Sequence, residues 1–232
     1  MAPIPVPAAR TRLVTRRLIL QPLARRHAGE VHEAIVHSRP ALRRWLPFAA
    51  RQQSEDTLAF VRRIARHPSH CVWGIWERSD VGDARGTPRG SARPARVRPA
   101  LYCGTLGLHG VDRDQASGTL GYWIRTSRAG RGYATEASAA VLLWAFGPLG
   151  LERLSVQAAP GNAASLRVIA KLGFVREGVM RQAQRIPGRR ERLDWVAFGM
   201  TREDWRRARP ALTRHCGAAR PWQPPARVSG GR

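Results

Sequence analysis

The sequence predicts an α+β sandwich of helices around a mixed sheet, and three observations carry that expectation. A short strand at 119–125 runs into a glycine turn and then an apolar helix, which together make half of a βαβ unit. Leu154, Val156 and Ala158 alternate with Arg153, Ser155 and Gln157, the period of two expected of a strand with one covered face. Two late strands, about 174–184 and 191–200, are joined through the turn signal Pro187-Gly188. A chain of 232 residues, 43% of them hydrophobic, suits one domain that buries a core without disulfide or metal staples.

The remaining elements follow in order. Arg17–Leu20 reads as a strand stopped by Pro22, and 24–37 as a helix. A second helix starts where Ser54 can cap it, with Glu55 and Asp56 in its first turn and Leu58, Val61, Ile64 and Ala65 at helical spacing; His67-Pro68 ends it. Cys71–Trp76 and Leu101–His109 read as strands, and the Pro- and Arg-rich segment 79–99 between them as an expanded hairpin loop. Strand 119–125 follows the turn signal Asp112-Arg113-Asp114, and the helix after it ends at Gly147-Pro148. Pro160-Gly161 breaks the next strand, and Asn162 opens a helix whose Ala164, Val168 and Leu172 share a face. The expected organisation is a flexible tail at 1–10, a domain over 11–205 carrying the flexible 79–99 insert, and a basic flexible tail at 206–232.

The net charge of +24 comes from 39 arginines and the single lysine Lys171 against 16 acids, and it first suggests nucleic acid. Its distribution weakens that reading, because the segments 1–17, 78–100 and 206–232 together hold +15 of it. Solvated flanks are the expectation, with weak nucleic-acid contact through the basic tails as the alternative. Cys71, Cys103 and Cys216 are an odd number at unrelated spacings, so neither a disulfide framework nor a zinc site is expected. No apolar run approaches the roughly 18 residues of a membrane span, and no secretory signal is read at the N-terminus, so a cytoplasmic protein without membrane partners is expected.

The turn entering the central helix carries Gly130 and Gly132. Glycines there let backbone N–H groups approach an anion, and the helix N-terminus favours negative charge, so phosphate is the natural guest. The turn alone is equally explained by a need for positive φ. No Gly-Lys-Ser/Thr completes a P-loop, and Thr135, just before Glu136, stands where a dinucleotide fingerprint wants a third glycine.

The run GYWIRTSRAGRGYATEA, followed by NAASLRVIAKLGFVREGVMR, resembles the GCN5-related N-acetyltransferase (GNAT) superfamily, in its RimJ/RimL-type ribosomal-protein N-acetyltransferase branch. The resemblance covers about 11–205. It implies a mixed, mostly antiparallel central sheet flanked by helices, with the family's fourth and fifth strands splayed, here 119–125 and 154–158. It also implies acetyl-CoA as co-substrate, with no metal. The family's Q/R-x-x-G-x-G/A motif falls on Ala129-Gly130-Arg131-Gly132-Tyr133-Ala134; its first position is Ala, with Arg128 one residue earlier. The amides of Gly130, Arg131, Gly132, Tyr133, Ala134 and Thr135 would cradle the coenzyme phosphates, with Arg131 adding a charge-assisted contact. Along Trp123-Ile124-Arg125 the strand edge would hold the pantetheine arm, and a backbone N–H near Ile124 would polarise the thioester carbonyl. Tyr122 and Trp123 alternate faces, so one is expected to line the acetyl site and the other to be core. Asn162 matches a pantetheine contact and equally serves as a helix N-cap. Many family members carry tyrosine at the Ile169 position; the RimJ/RimL branch has serine at the Ser165 position, which makes Ser165 the expected partner of the coenzyme sulfur.

Direct attack of a neutral amine is the expected route, since nothing signals activation of Cys71 or Cys103. The catalytic set is Ser165, Glu177 and Tyr122, with Glu136, His109 and Asp194 as further candidates for the base. The expected acceptor is a protein or peptide N-terminus, a ribosomal protein first among them, with Glu30, Glu33, Glu55 and Asp56 as candidate groove acids. A small-molecule amine, or a non-catalytic RNA- or ribosome-binding role, are the alternatives. A monomer or homodimer is expected.

Overall fold

The computed structural model describes residues 11–65, 67, 69–80, 97–188, 190–217 and 220–221. The expected tail at 1–10, residues 81–96 of the insert and 222–232 of the C-terminal tail lie outside the described residues.

The chain runs β1 (Leu13–Val14), β2 (Leu18–Pro22), α1 (Ala28–Leu42), α2 (Ser54–Ile64), β3 (Cys71–Asp80), β4 (Val97–Asp112) and β5 (Ser117–Ile124). It continues α3 (Tyr133–Phe146), β6 (Arg153–Ala158), α4 (Ala163–Leu172), β7 (Val175–Arg185), β8 (Arg192–Thr201), α5 (Arg202–Cys216) and β9 (Arg220–Pro221). These strands form one sheet in the order β7-β8-β6-β5-β4-β3-β2-β1-β9. Every pairing is antiparallel except β5 with β6, which α3 connects as a parallel crossover.

Each face of the sheet carries its own core. On one side α3 packs with α4 and α5 over β2, β5 and β6. The Ala-rich α3 is buried on nearly every side, which its small side chains permit by letting neighbours approach closely. Trp73 meets Trp144 edge-on at 5.4 Å, and Phe146 stacks on Trp205 at 5.7 Å. On the other face α1 and α2 cover Val72, Trp76 and Tyr102.

Four sequence expectations change. The first helix runs on to Leu42 through Pro40, because the buried stripe Val31, Ala34, Ile35, Ser38 and Leu42 continues past Val36. At the second helix Gln53 takes the N-cap position and Ser54 the first turn, while Asp56 accepts the Gln53 N–H at 3.0 Å. The 79–99 loop is shorter than expected: Ser79 and Asp80 pair with Arg98 and Val97. The segment 206–216 is not tail. It belongs to α5, capped where the Thr201 side chain accepts from Asp204 N and Asp204 accepts from Thr201 N, and held by buried Trp205, Leu212 and Cys216. Its arginines concealed that apolar stripe. Among the described residues no helix is long and apolar enough to cross a membrane.

Candidate active site

The parallel strands β5 and β6 are in register over only three pairs, Ser117 with Arg153, Gly118 with Leu154 and Thr119 with Ser155. Beyond Thr119 they part, while β5 stays paired to β4 as far as Gly104 with Ile124. The Arg125 N–H bonds Cys103 O on β4 at 2.8 Å, so by alternation the N–H groups of Tyr122 and Ile124 face the gap. Gly104, opposite Ile124, has φ of 152°, and a Cβ there would collide with the Trp123 carbonyl oxygen. A glycine at 104 therefore sets how β5 carries its exposed edge, a role the sequence pattern did not disclose.

One mouth of the gap is a cleft of about 440 Å³ running past Ile124, the 129–135 turn and one face of α4. Gly130 and Gly132 both have positive φ, 78° and 79°. The first bond of α3 is Glu136 N to Gly132 O, and no protein acceptor takes the amides of 130–135 among the described residues. A set of amides without protein acceptors, with a helix dipole behind them, suits a diphosphate. Across the cleft Asn162 Oδ1 accepts the Ser165 N–H at 3.2 Å, so its capping role is real while it also lines the cleft. The Tyr122 hydroxyl lies 2.9 Å from Ser165 Oγ, bridging the split between β5 and α4. Burial pushes the Tyr122 phenol up to about 12, so it stays protonated. Ile169 is fully buried in the core and offers the cleft no polar group.

The other mouth is a cleft of about 770 Å³ between the sheet and α1–α2, walled by Phe48, Phe60, Ile35 and Val72, with Asp56, Arg51 and Arg63 at its polar positions. Its floor includes His109, whose ring lies over Gly107 and Gly121; a Cβ on Gly107 would approach Nε2 to 2.7 Å. Burial, then the neighbouring His70, hold the His109 imidazole below its ordinary value. Tyr122 and Trp123 line both clefts. They do belong to opposite faces, as alternation requires, but the gap opens beside both, so neither is purely core.

Several expected residues stand elsewhere. Arg125 is buried against Glu33 at 3.2 Å and donates to Tyr102 O, pinning α1 rather than lining the 440 Å³ cleft. Arg131 is exposed and is not among the lining residues, and the Tyr133 hydroxyl donates to Glu77 at 2.8 Å, which leaves this tyrosine its backbone as a donor to the cleft. Glu136, 1% exposed, accepts from Thr15 Oγ1, Arg17 N and Arg17 Nε at 2.7–2.9 Å; it ties the β1–β2 turn to α3. Glu177 binds Arg153 at 2.6 Å on the far strands and borders neither cleft. Asp194 accepts the Gln182 N–H. Of the groove acids, Glu30 accepts from Trp76 Nε1, Glu33 holds Arg125, Glu55 bonds Ser54, and Asp56 alone borders the cleft. Burial raises Cys71 to about 11 and Cys103 to about 12, which keeps both as thiols. Among the described residues no group of His, Cys, Asp and Glu gathers to hold a metal ion.

A family model described as an acetyltransferase (GNAT) domain matches residues 17–175. The chain is 27% identical over 192 residues to a Bacillus subtilis (strain 168) protein named "Putative ribosomal N-acetyltransferase YdaF", spanning 83% of this chain and 95% of that one. In fold it is similar to Mycobacterium smegmatis RimJ, solved in complex with CoA-disulfide, with a TM-score of 0.70 and 22% identity over 90% of this chain and 94% of that one. It is also similar in fold to RimL, a ribosomal L7/L12 alpha-N-protein acetyltransferase solved in complex with coenzyme A, with a TM-score of 0.65 and 18% identity over 81% and 96% of the two chains.

Proposed function

The chain belongs to the GNAT acetyltransferase family, and from that premise we propose that it transfers the acetyl group of acetyl-CoA to the α-amine of a protein or peptide, with a ribosomal protein as the first acceptor to test. The relative named as a ribosomal N-acetyltransferase and the fold likeness to RimJ and RimL support that acceptor class. The observation that carries the reading is the meeting of two clefts at Tyr122 and Trp123, one with anion-ready amides and the other with apolar walls.

Acetyl-CoA brings an activated acetyl carbon. Its diphosphate fits the amides of 130–135, and its amide-bearing arm fits the open edge of β5 with Asn162 opposite. The Ile124 N–H receives charge that develops on the carbonyl oxygen. The amine lone pair forms the C–N bond, the C–S bond breaks, and the thiolate accepts a hydrogen bond and then a proton. Ser165 is the residue for that donation: its Oγ lies 2.9 Å from the Tyr122 hydroxyl, and with the protonated phenol as the donor of that pair the serine proton is free for sulfur. For the proton leaving the amine, His109 is the candidate base that borders the acceptor cleft, and its lowered pKa keeps it neutral near pH 7. Glu177 and Glu136 are committed to arginines and take no part. Holding both reactants in adjoining clefts supplies effective molarity without a covalent intermediate.

Acetyl-CoA is expected to raise the melting temperature, and Gly132→Trp to abolish the rise; no rise in the parent protein at saturating acetyl-CoA would overturn the coenzyme reading. Mass spectrometry of a deletion strain against its parent checks the acceptor. Loss of acetylation at protein N-termini is expected, and a change confined to small amines would overturn that part.

A further inference from the structure

Trp73, Ile75 and Glu77 share the face of β3 that packs toward α3. The first two are core, and the third is a half-buried carboxylate that lines neither cleft. The β3–β4 register shifts across Glu77, since Trp76 pairs with Tyr102 but Arg78 with Pro99, and an irregularity of this kind re-aims the side chains beside it. Glu77 Oε1 accepts the Tyr133 hydroxyl at 2.8 Å, and Arg128 Nε lies 2.9 Å from the same oxygen as an ion pair. Arg128 precedes Gly130 and Tyr133 follows Gly132, so one carboxylate reaches both flanks of the glycine turn. Arg17 lies over the Tyr133 ring at 4.9 Å and adds a second hold on the same side chain.

Little else braces that turn. The last backbone bond before it runs from Ala129 N to Thr126 O at 3.1 Å, and the amides of 130–135 find no protein acceptor among the described residues. A Cβ on Gly130 would meet nothing within 4 Å, and one on Gly132 only the Arg17 guanidinium at 3.5 Å, so packing does not fix the two positive-φ residues either. We infer that Glu77 is a positioning residue for the coenzyme: by holding Arg128 and Tyr133 it keeps the turn in its amide-presenting shape before the diphosphate arrives, which removes an ordering cost from binding. The inference rests on the coenzyme reading above. It also makes a prediction of opposite sign to simple electrostatics. A carboxylate beside a diphosphate site repels its guest, so deleting its charge should tighten binding. Here Arg128 already offsets that charge, and the lost anchorage outweighs the repulsion relieved. Burial, then the bond to Glu77, raises the Tyr133 phenol above its ordinary value, so it remains a donor to the carboxylate at neutral pH.

Calorimetric titration of the full chain with CoA, paired with steady-state kinetics on acetyl-CoA and a short peptide, tests it. Glu77→Ala is expected to weaken CoA about tenfold and to raise KM for acetyl-CoA with it, while kcat at saturating coenzyme changes less than about twofold. Glu77→Gln keeps an acceptor within reach of the Tyr133 hydroxyl and loses only the charge, so its affinity is expected to fall between, about threefold below the parent. A merely structural role would lower the folded fraction, which reduces kcat and leaves KM where it was. Unchanged or tighter CoA binding by Glu77→Ala, or a fall in kcat alone, would overturn the positioning role and leave the coenzyme cleft standing. Should Glu77→Ala fail to fold, Glu77→Gln decides by the same sign: weaker binding than the parent supports the role, and equal or tighter binding overturns it. No CoA binding by the parent protein would overturn the coenzyme reading and this inference with it.

Discussion

Ser165 and Tyr122 illustrate how a single hydrogen bond joins two elements that the sheet has let part. On the proposed reading, in which the hydroxyl acts on sulfur as it departs, Ser165→Ala is expected to lower kcat about tenfold while changing acetyl-CoA affinity less than twofold. Steady-state kinetics on a short peptide, paired with calorimetry, checks the split. His109 is expected to give kcat/KM an acidic limb that rises through an apparent pKa below 6.5, since both burial and His70 favour the neutral ring. His70 meets this ring edge-on with His67 beyond it, and Asp56 and Arg63 on α2, Arg51 on the preceding turn and Tyr122 on β5 line the same cleft. His109→Gln should remove the limb and lower the plateau roughly 100-fold; a retained limb assigns the proton to another group. Glu136→Ala should cost about 2–3 kcal/mol in urea unfolding, because Thr15 and the Arg17 amide lose their shared acceptor.

At the scale of elements, α5 differs most from expectation. Leu212 is fully buried against α3, so Leu212→Ala should cost about 2–5 kcal/mol, measured by chemical denaturation. Removing 208–232, which a tail reading would call harmless, should instead expose α3 and lose soluble, cooperatively unfolding protein. The helix was legible in principle. Thr201-Arg202-Glu203-Asp204 is a capping pattern, and Trp205, Ala208 and Leu212 follow at helical spacing, but the dense arginines and Pro210 interrupt the apolar signal. The strand–turn–helix unit at 117–146 was legible because alternation, paired glycines and an apolar run agree.

For the whole molecule, His27, His70 and His109 all have folded-state pKa values below ordinary, with burial as the first cause. The unfolded chain then binds protons more tightly. Their stabilisation is present above about pH 6.5 and is lost as pH falls through the lower folded values. Asp204, held near 2 chiefly by its bonds from Thr201, extends the same sign further into acid. The urea midpoint is therefore expected to fall from pH 7.5 to pH 5 and again below pH 4; a midpoint constant over that range would contradict these assignments.

Local chemistry written along the chain determined the α+β class, the order of the central elements, the positive-φ glycines of the anion turn and Asn162 as a cap, because each depends on neighbours within one or two turns. Only the tertiary structure decided that Arg125 and Glu136 are structural, that Glu177 lies apart, that His109 borders the cleft under α1–α2, and that Lys171 lines one cavity with Arg16 and Arg214. Those outcomes depend on which distant side chain reaches a given charge first. Periodicity carries no information about such partners; packing supplies it.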